Sequence, residues 1–196
     1  MGRKPRQQSS VGLYHVITRG NNKSRLFHGE EDFKEIRAVL KDYLEEYPLK
    51  IHHYCLMTNH IHLLVWAEEL ATLSRFMHGV QRSYHHYYRK AYTWFGHLFQ
   101  GRYRSLPIED EAYLLDCGRY IERNPVRAKM VEDPKDWEYS SYCFYAYGRA
   151  DALVSPSIAY QALTARSEED RCCLYRTHVE ATRPYEEIID RDLVGT

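Results

Sequence analysis

The stretch LKIHHYCLMTNHIHLLVW, Leu49 to Trp66, decides the fold. Leu49–Met57 and His60–Trp66 are apolar and β-prone, and only Thr58 and Asn59 separate them, the length of a tight hairpin turn. Side chains at i and i+2 of a strand share a face, so His60 and His62 point one way while Ile61 and Leu63 point the other, into a core. Two imidazoles on one face of a rigid element form a ligand pair for a metal ion. The spacing alone is a weak signal in a chain with 11 histidines. Ordinary hydrogen-bonded strand histidines are the competing reading until a further group joins them.

On the N-terminal side, Tyr14, Val16 and Thr18 alternate with His15, Ile17 and Arg19, the period of a strand, and Gly20-Asn21-Asn22 ends it. From about Glu30, the residues Phe33, Ile36, Val39, Leu40, Tyr43, Leu44 and Tyr47 recur at helical spacing, with acids in the first turn where the helix dipole favours them, and Pro48 stops the run. A second amphipathic helix starts near Leu70. Leu98–Ile108 supplies a fourth strand, with Gly101 marking a bulge or a close backbone approach. The order β-α-β-β-α-β is the ferredoxin-like α+β arrangement, an antiparallel sheet with both helices on one face and the opposite face open to a ligand. His52-His53 can offer that face one side chain, read as structural.

Tyr113–Ala128 begins as a helix, and at 3.6 residues per turn Tyr120 and Asn124 lie one above the other. To meet the histidine pair, this added helix must cross the open sheet face. A phenol with its usual pKa near 10 is a poor nucleophile at neutral pH, but a divalent ion polarising a phosphate lowers the need for a fully formed phenolate. Two imidazoles and an amide oxygen, from His60, His62 and Asn124, suit one open Mg²⁺ or Mn²⁺ ion. With 18 tyrosines in the chain, a structural Tyr120 on an amphipathic helix is the competing reading.

At 196 residues the chain suits one domain with a small appendage: residues 1–147 as the catalytic unit and 148–196 as a helical, acidic extension. No run of eighteen apolar residues and no signal segment is present, which predicts a cytosolic protein with no membrane span. Five cysteines without a C-x-x-C spacing argue against a disulfide framework and a structural zinc site. The net charge is zero but unevenly spread, with 16 Lys and Arg against 9 Asp and Glu in residues 1–107 and 11 against 18 in residues 108–196. The basic start, including Arg3, Lys4, Arg6 and Arg19, is the electrostatic footprint of phosphate contacts. Tyr84–Lys90, aromatic and basic, suits single-stranded nucleic acid or a half-buried tyrosine face equally. No phosphate-binding glycine motif is present, so no nucleotide cofactor is implied.

Four segments together resemble the REP-associated tyrosine transposases, relatives of the single-tyrosine insertion-sequence transposases within the HUH endonuclease superfamily. They are Tyr14–Asn21, Asn59–Leu64, Gln100–Ser105 and Arg119–Ala128, and Trp137 with Ser140-Ser141-Tyr142 adds a fifth. Thr58 stands where the family usually has proline and Arg104 where lysine is frequent. The resemblance implies a metal-dependent single-stranded DNA endonuclease and strand-transferase, with Tyr120 as nucleophile and a 5′-phosphotyrosine intermediate. It also implies a hairpin-forming repetitive extragenic palindrome as target. Arg3, Lys4, Arg6, Arg19, Asn21, Arg102 and Arg104 are the candidate DNA contacts, in a monomer or homodimer. Two rival readings are a non-catalytic nucleic-acid-binding module on the same open sheet and a zinc hydrolase built on the histidine pair. A further expectation is that the acidic segment 167–196 lies near the basic face and competes with DNA.

Overall fold

The computed structural model describes residues 6–181. Its sheet is built from β1 (Leu13–Arg19), β2 (Leu49–Met57), β3 (His60–Ala67) and β4 (Arg104–Ile108). The strand order is β2-β3-β1-β4, all neighbours antiparallel, as the ferredoxin-like topology requires. Helices α1 (Glu30–Glu46) and α2 (Leu70–Tyr92) cover one face. There Phe33, Ile36 and Leu40 of α1 and Leu73, Phe76 and Val80 of α2 meet Val16, Leu56, Ile61, Leu63 and Val65 from the strands in one buried cluster. Ile61 and Leu63 thus pack under the helices as their alternation predicts. Asp32 closes the start of α1, its carboxylate accepting from the backbone N–H groups of His28 and Gly29.

The β2–β3 hairpin turns at Thr58 and Asn59, and Met57 lies opposite His60. One residue of β2 does not fit the ladder: Ile51 pairs with Val65 and His53 with Leu64, so His52 is bulged out. The bulge turns His53 to the open face, while His52 Nδ1 bonds the Ser155 carbonyl at 2.8 Å. The fourth strand is shorter than the expected Leu98–Ile108. Gly101 has a φ of +69° and turns the chain, so Leu98 and Phe99 pack into the core and only Arg104–Ile108 extends along β1.

The other sheet face receives α3 (Leu114–Glu122), followed by a single turn α4 (Asn124–Arg127), then α5 (Tyr142–Tyr147), α6 (Ile158–Gln161) and α7 (Glu168–Glu180). Leu114, Tyr120 and Ile121 of α3 bury against Leu13, Ile17, Cys55, Met57 and Leu64 of the strands. A third cluster joins Tyr142 and Tyr145 of α5 to Tyr160 of α6 and to Tyr175 and Val179 of α7. Ser167 caps α7 by accepting from the Asp170 N–H at 3.1 Å, with Glu168, Glu169 and Asp170 in the first turn. Among the described residues no helix is long and apolar enough to cross a membrane.

Candidate active site

Strand register fixes which side chains share the open face. Ile17 lies opposite His62 and Arg19 opposite His60, so Leu13, His15, Ile17 and Arg19 of β1 face the same way as the histidine pair. The rings of His60 and His62 are 4.9 Å apart. His60 is half-buried and its Nδ1 pairs with Asn59 Oδ1 at 2.6 Å. His62 is buried, and its Nδ1 pairs with His15 Nε2 at 3.0 Å. Burial holds all three imidazoles neutral: His15 falls to about 3 and His60 to about 4, with Arg19 adding to the effect on His60. His62 is lowered well below the usual histidine range, first by burial and then by His60, His15, Arg19 and Arg127.

Helix α3 crosses this face and lays Tyr120 on the histidines. The phenol ring is 6.1 Å from the His62 ring and 5.8 Å from that of His15, edge-on to both. Tyr120 is 1 % exposed, and the Arg127 guanidinium lies 4.9 Å over its ring. Asn124 follows one turn later. Its Nδ2 donates to the carbonyls of Tyr120 at 2.9 Å and Ile121 at 3.2 Å, which turns Oδ1 away from the helix end. Among the described residues no three His, Cys, Asp or Glu side chains are grouped to hold a metal ion.

What fixes α3 is a buried polar cluster. Glu122 is fully buried and accepts from Ser141 Oγ at 2.6 Å and Tyr175 Oη at 2.7 Å, while His53 Nδ1 lies 2.9 Å from its carboxylate. One carboxylate thus ties α3 to β2, to the start of α5 and to α7. The neighbouring Arg119, also buried, donates to the carbonyls of His178, Val179 and Ala181 at the end of α7, and Arg123 adds a bond to Val179 at 3.2 Å. Cations at a helix C-terminus satisfy carbonyls that the helix leaves open and suit its dipole. At Gly118 the helix lies directly on the strand: an added Cβ would meet the His53 ring at 2.5 Å.

The candidate DNA contacts fall in two groups. Arg19 sits beside His60, and Arg104, opposite Ile17 on β4, faces the same side and is exposed. Asn21 and Arg102 are exposed in turns next to these strands, with the Asn21 N–H bonded to the Leu98 carbonyl at 2.7 Å. Arg6 lies 3.8 Å over the Tyr103 ring and donates to the Tyr103 carbonyl, so it braces the segment that carries Arg102 and Arg104. Arg3 and Lys4 lie outside the described residues. Sequence reasoning missed His15, Arg127, Arg119 and Glu122. Of these, His15 had a readable signal, since the ferredoxin-like order sets β1 beside β3 and His15 shares the parity of Arg19.

A ferredoxin-like sheet with a histidine pair on its open face and a tyrosine helix laid across it is the architecture of a transposase. The family model of IS200-like transposases matches residues 8–124, and the chain belongs to that family. Among named relatives, a Haemophilus influenzae protein called a REP-associated tyrosine transposase is 29 % identical over 148 residues, which span 67 % of this chain and 80 % of the relative. A solved structure of a REP-associated tyrosine transposase bound to a REP hairpin superposes with a TM-score of 0.64. That match covers 81 % of this chain and 93 % of the other at 17 % identity, and is a likeness of fold.

Proposed function

We propose that the protein cuts and rejoins single-stranded DNA at hairpin-forming repetitive extragenic palindromes, with Tyr120 as nucleophile. The observation that carries this reading is the stacking of Tyr120 edge-on to His62 at 6.1 Å, on a face that also holds His60, Arg19 and Arg104. Two neutral imidazoles and a carboxamide oxygen are a donor set suited to Mg²⁺ or Mn²⁺, in keeping with the family's general dependence on metal. Bound by His60, His62 and Asn124, such an ion would polarise the scissile phosphate. Arg19, Arg104 and Arg127 draw the backbone to this face. Tyr120 is buried, so the phosphate has to enter the seam between α3 and the sheet.

In the chemical step, the phenolic oxygen forms a bond to phosphorus and gives up its proton to solvent. The bond from phosphorus to the 3′-oxygen breaks, and that oxygen takes up a proton as a free 3′-hydroxyl. A second 3′-hydroxyl reverses the step, releases Tyr120 and joins strands. One ester replaces another each time, so no ATP is consumed. A module that only bound nucleic acid would have no use for the convergence of Tyr120 with His60 and His62. Residues 148–196 we read as an extension, of which α7 supports α3 through Tyr175 and the carbonyls of His178, Val179 and Ala181. The test is incubation of wild type and Tyr120→Phe with a hairpin bearing a single-stranded flank and Mg²⁺. Wild type forms a covalent adduct that mass spectrometry maps to Tyr120, and the variant binds DNA but forms none, a loss of at least about 10³-fold. An adduct on Tyr103 or Tyr113, or none with wild type, overturns the reading.

A further inference from the structure

From Leu70 to Ile108 the sequence contains no Asp or Glu, while it carries Arg75, Arg82, Arg89, Lys90, Arg102 and Arg104. The end of α2 lies in the middle of this run. With 23 residues and a rise of about 1.5 Å each, α2 spans about 35 Å, and its last turns reach the end of the sheet where β1 stops and β3 starts. Tyr84 Oη donates there to the Leu26 carbonyl and Tyr88 Oη to the Arg25 carbonyl, and Gly20 bridges to Phe99. The tip is therefore adjacent to the Arg19–His60 end of the active-site face.

At the tip Thr93 takes a left-handed conformation, φ +49°, and ends the helix. Trp94 turns inward and packs edge-on to Tyr88 at 5.7 Å. Phe95 is turned outward and is 82 % exposed, far more than any other large apolar side chain described. His86, Arg89, Lys90, Trp94 and Phe95 line a shallow hollow of about 330 Å³. An anchored indole beside an outstanding phenyl, with two cations one turn back, offers a flat apolar surface at the reach of a phosphate.

We propose that this turn is a stacking site for an unpaired base of the single-stranded DNA that flanks the hairpin, with Phe95 under the base and Arg89 and Lys90 on its phosphates. It rests on the DNA reading above and adds a contact remote from the chemistry. An aromatic face accepts any base, so the site sets where the flank runs rather than which sequence it has. Helix α2 itself carries no carboxylate, and Asp32 of α1, which accepts from Tyr87 and Tyr92 beside the tip, is buried.

The experiment measures binding of two labelled probes, a hairpin with a single-stranded flank and the same hairpin blunt-ended, with 2-aminopurine placed in turn at each flank position. Phe95→Ala weakens binding of the flanked probe about tenfold, leaves the blunt probe within about twofold and removes the quenching of one 2-aminopurine position. Phe95→Trp restores both readouts. The Arg89→Ala, Lys90→Ala double variant lowers the salt slope by about 0.7 for each phosphate no longer neutralised. Unchanged affinity of Phe95→Ala for the flanked probe overturns the site, as does an equal loss on both probes. A wild-type dimer that Phe95→Ala converts to monomer assigns the tip to a second copy instead. Wild type that binds neither probe sinks the DNA reading itself, and this site with it.

Discussion

On one face of the sheet α1 and α2 bury Phe33, Ile36, Leu40, Phe76 and Val80 against β-branched and leucine side chains; on the other, α3 is held by Glu122 on three partners and by Arg119 on the carbonyls of α7. The first face rests on burial, which is non-directional and tolerates small shifts of one layer over another. The second adds hydrogen bonds to the apolar contacts of Leu114, Tyr120 and Ile121, and hydrogen bonds fix angles as well as distances. Tyr120, the proposed nucleophile, sits on the second, where position would matter most. The histidine pair belongs to neither group of helices, because β3 alone presents it.

That contrast breaks or sharpens with four measurements. The largest effect is expected from His60→Ala or His62→Ala: cleavage of a flanked hairpin falls on the order of 10³-fold, while hairpin affinity by fluorescence anisotropy stays within about threefold. Urea titration of the same variants separates them, since only His62 is tied into the buried pair with His15. His62→Ala costs about 1–3 kcal/mol, and half-buried His60→Ala less than about 1 kcal/mol. Cleavage that survives in the double variant breaks the role given to the pair.

Next in size is truncation before Ser167. It removes Tyr175 and the carbonyl acceptors of Arg119, so adduct formation falls about 100-fold while hairpin binding persists. An acidic segment lying over the DNA face and competing with substrate, as the charge pattern of the sequence suggests, predicts the opposite sign. A truncated protein with faster adduct formation would favour that competition over support. Smaller still, Tyr175→Phe and Ile36→Val cost similar stability, about 1–3 and 0.5–1.5 kcal/mol. Only Tyr175→Phe, on the polar face, slows adduct formation, by about tenfold. Equal rates for the two variants would erase the distinction between the faces.

The smallest and most gradual effect is in pH. His15 near 3 and His60 near 4 both lie below the unfolded value of about 6.5, so the unfolded chain binds more protons in between. Stability is fully present above about pH 6.5 and declines as the pH falls towards 4, by at most about 1.4 kcal/mol per unit for each histidine. Urea midpoints at pH 7.5, 6 and 5 report it, and a midpoint that does not move over that range contradicts the buried, neutral imidazoles.

Strand alternation made the sheet legible, because a period of two assigns every residue of β1 and β3 to a face, and β2 departs from it only at the His52 bulge. The same period placed His60 with His62, and the helical period placed Tyr120 with Asn124. The fourth strand was overdrawn, since Leu98 and Phe99 are apolar in a core loop as they would be in a strand, and only the backbone at Gly101 distinguishes the two. Glu122 was unreadable for a different reason. A glutamate on an amphipathic helix looks solvated, and its partners His53, Ser141 and Tyr175 are spread over more than a hundred residues with no local pattern linking them. Arg119 is hidden likewise, because backbone carbonyls leave no trace in a sequence.

Gly118 shows how a reaction distance can be set by a missing atom. Helix α3 touches down on the sheet where that residue meets the His53 ring, two positions before Tyr120, and a methyl group there would stand 2.5 Å from a ring carbon. Something would have to yield, either the imidazole that holds Glu122 or the whole helix. Either adjustment changes the height at which the phenol rides above His15 and His62, and in the proposed reaction a displacement of about 1 Å would cost about 100-fold in rate. The clearance between Tyr120 and the histidines is thus gauged by a residue that contributes no side chain.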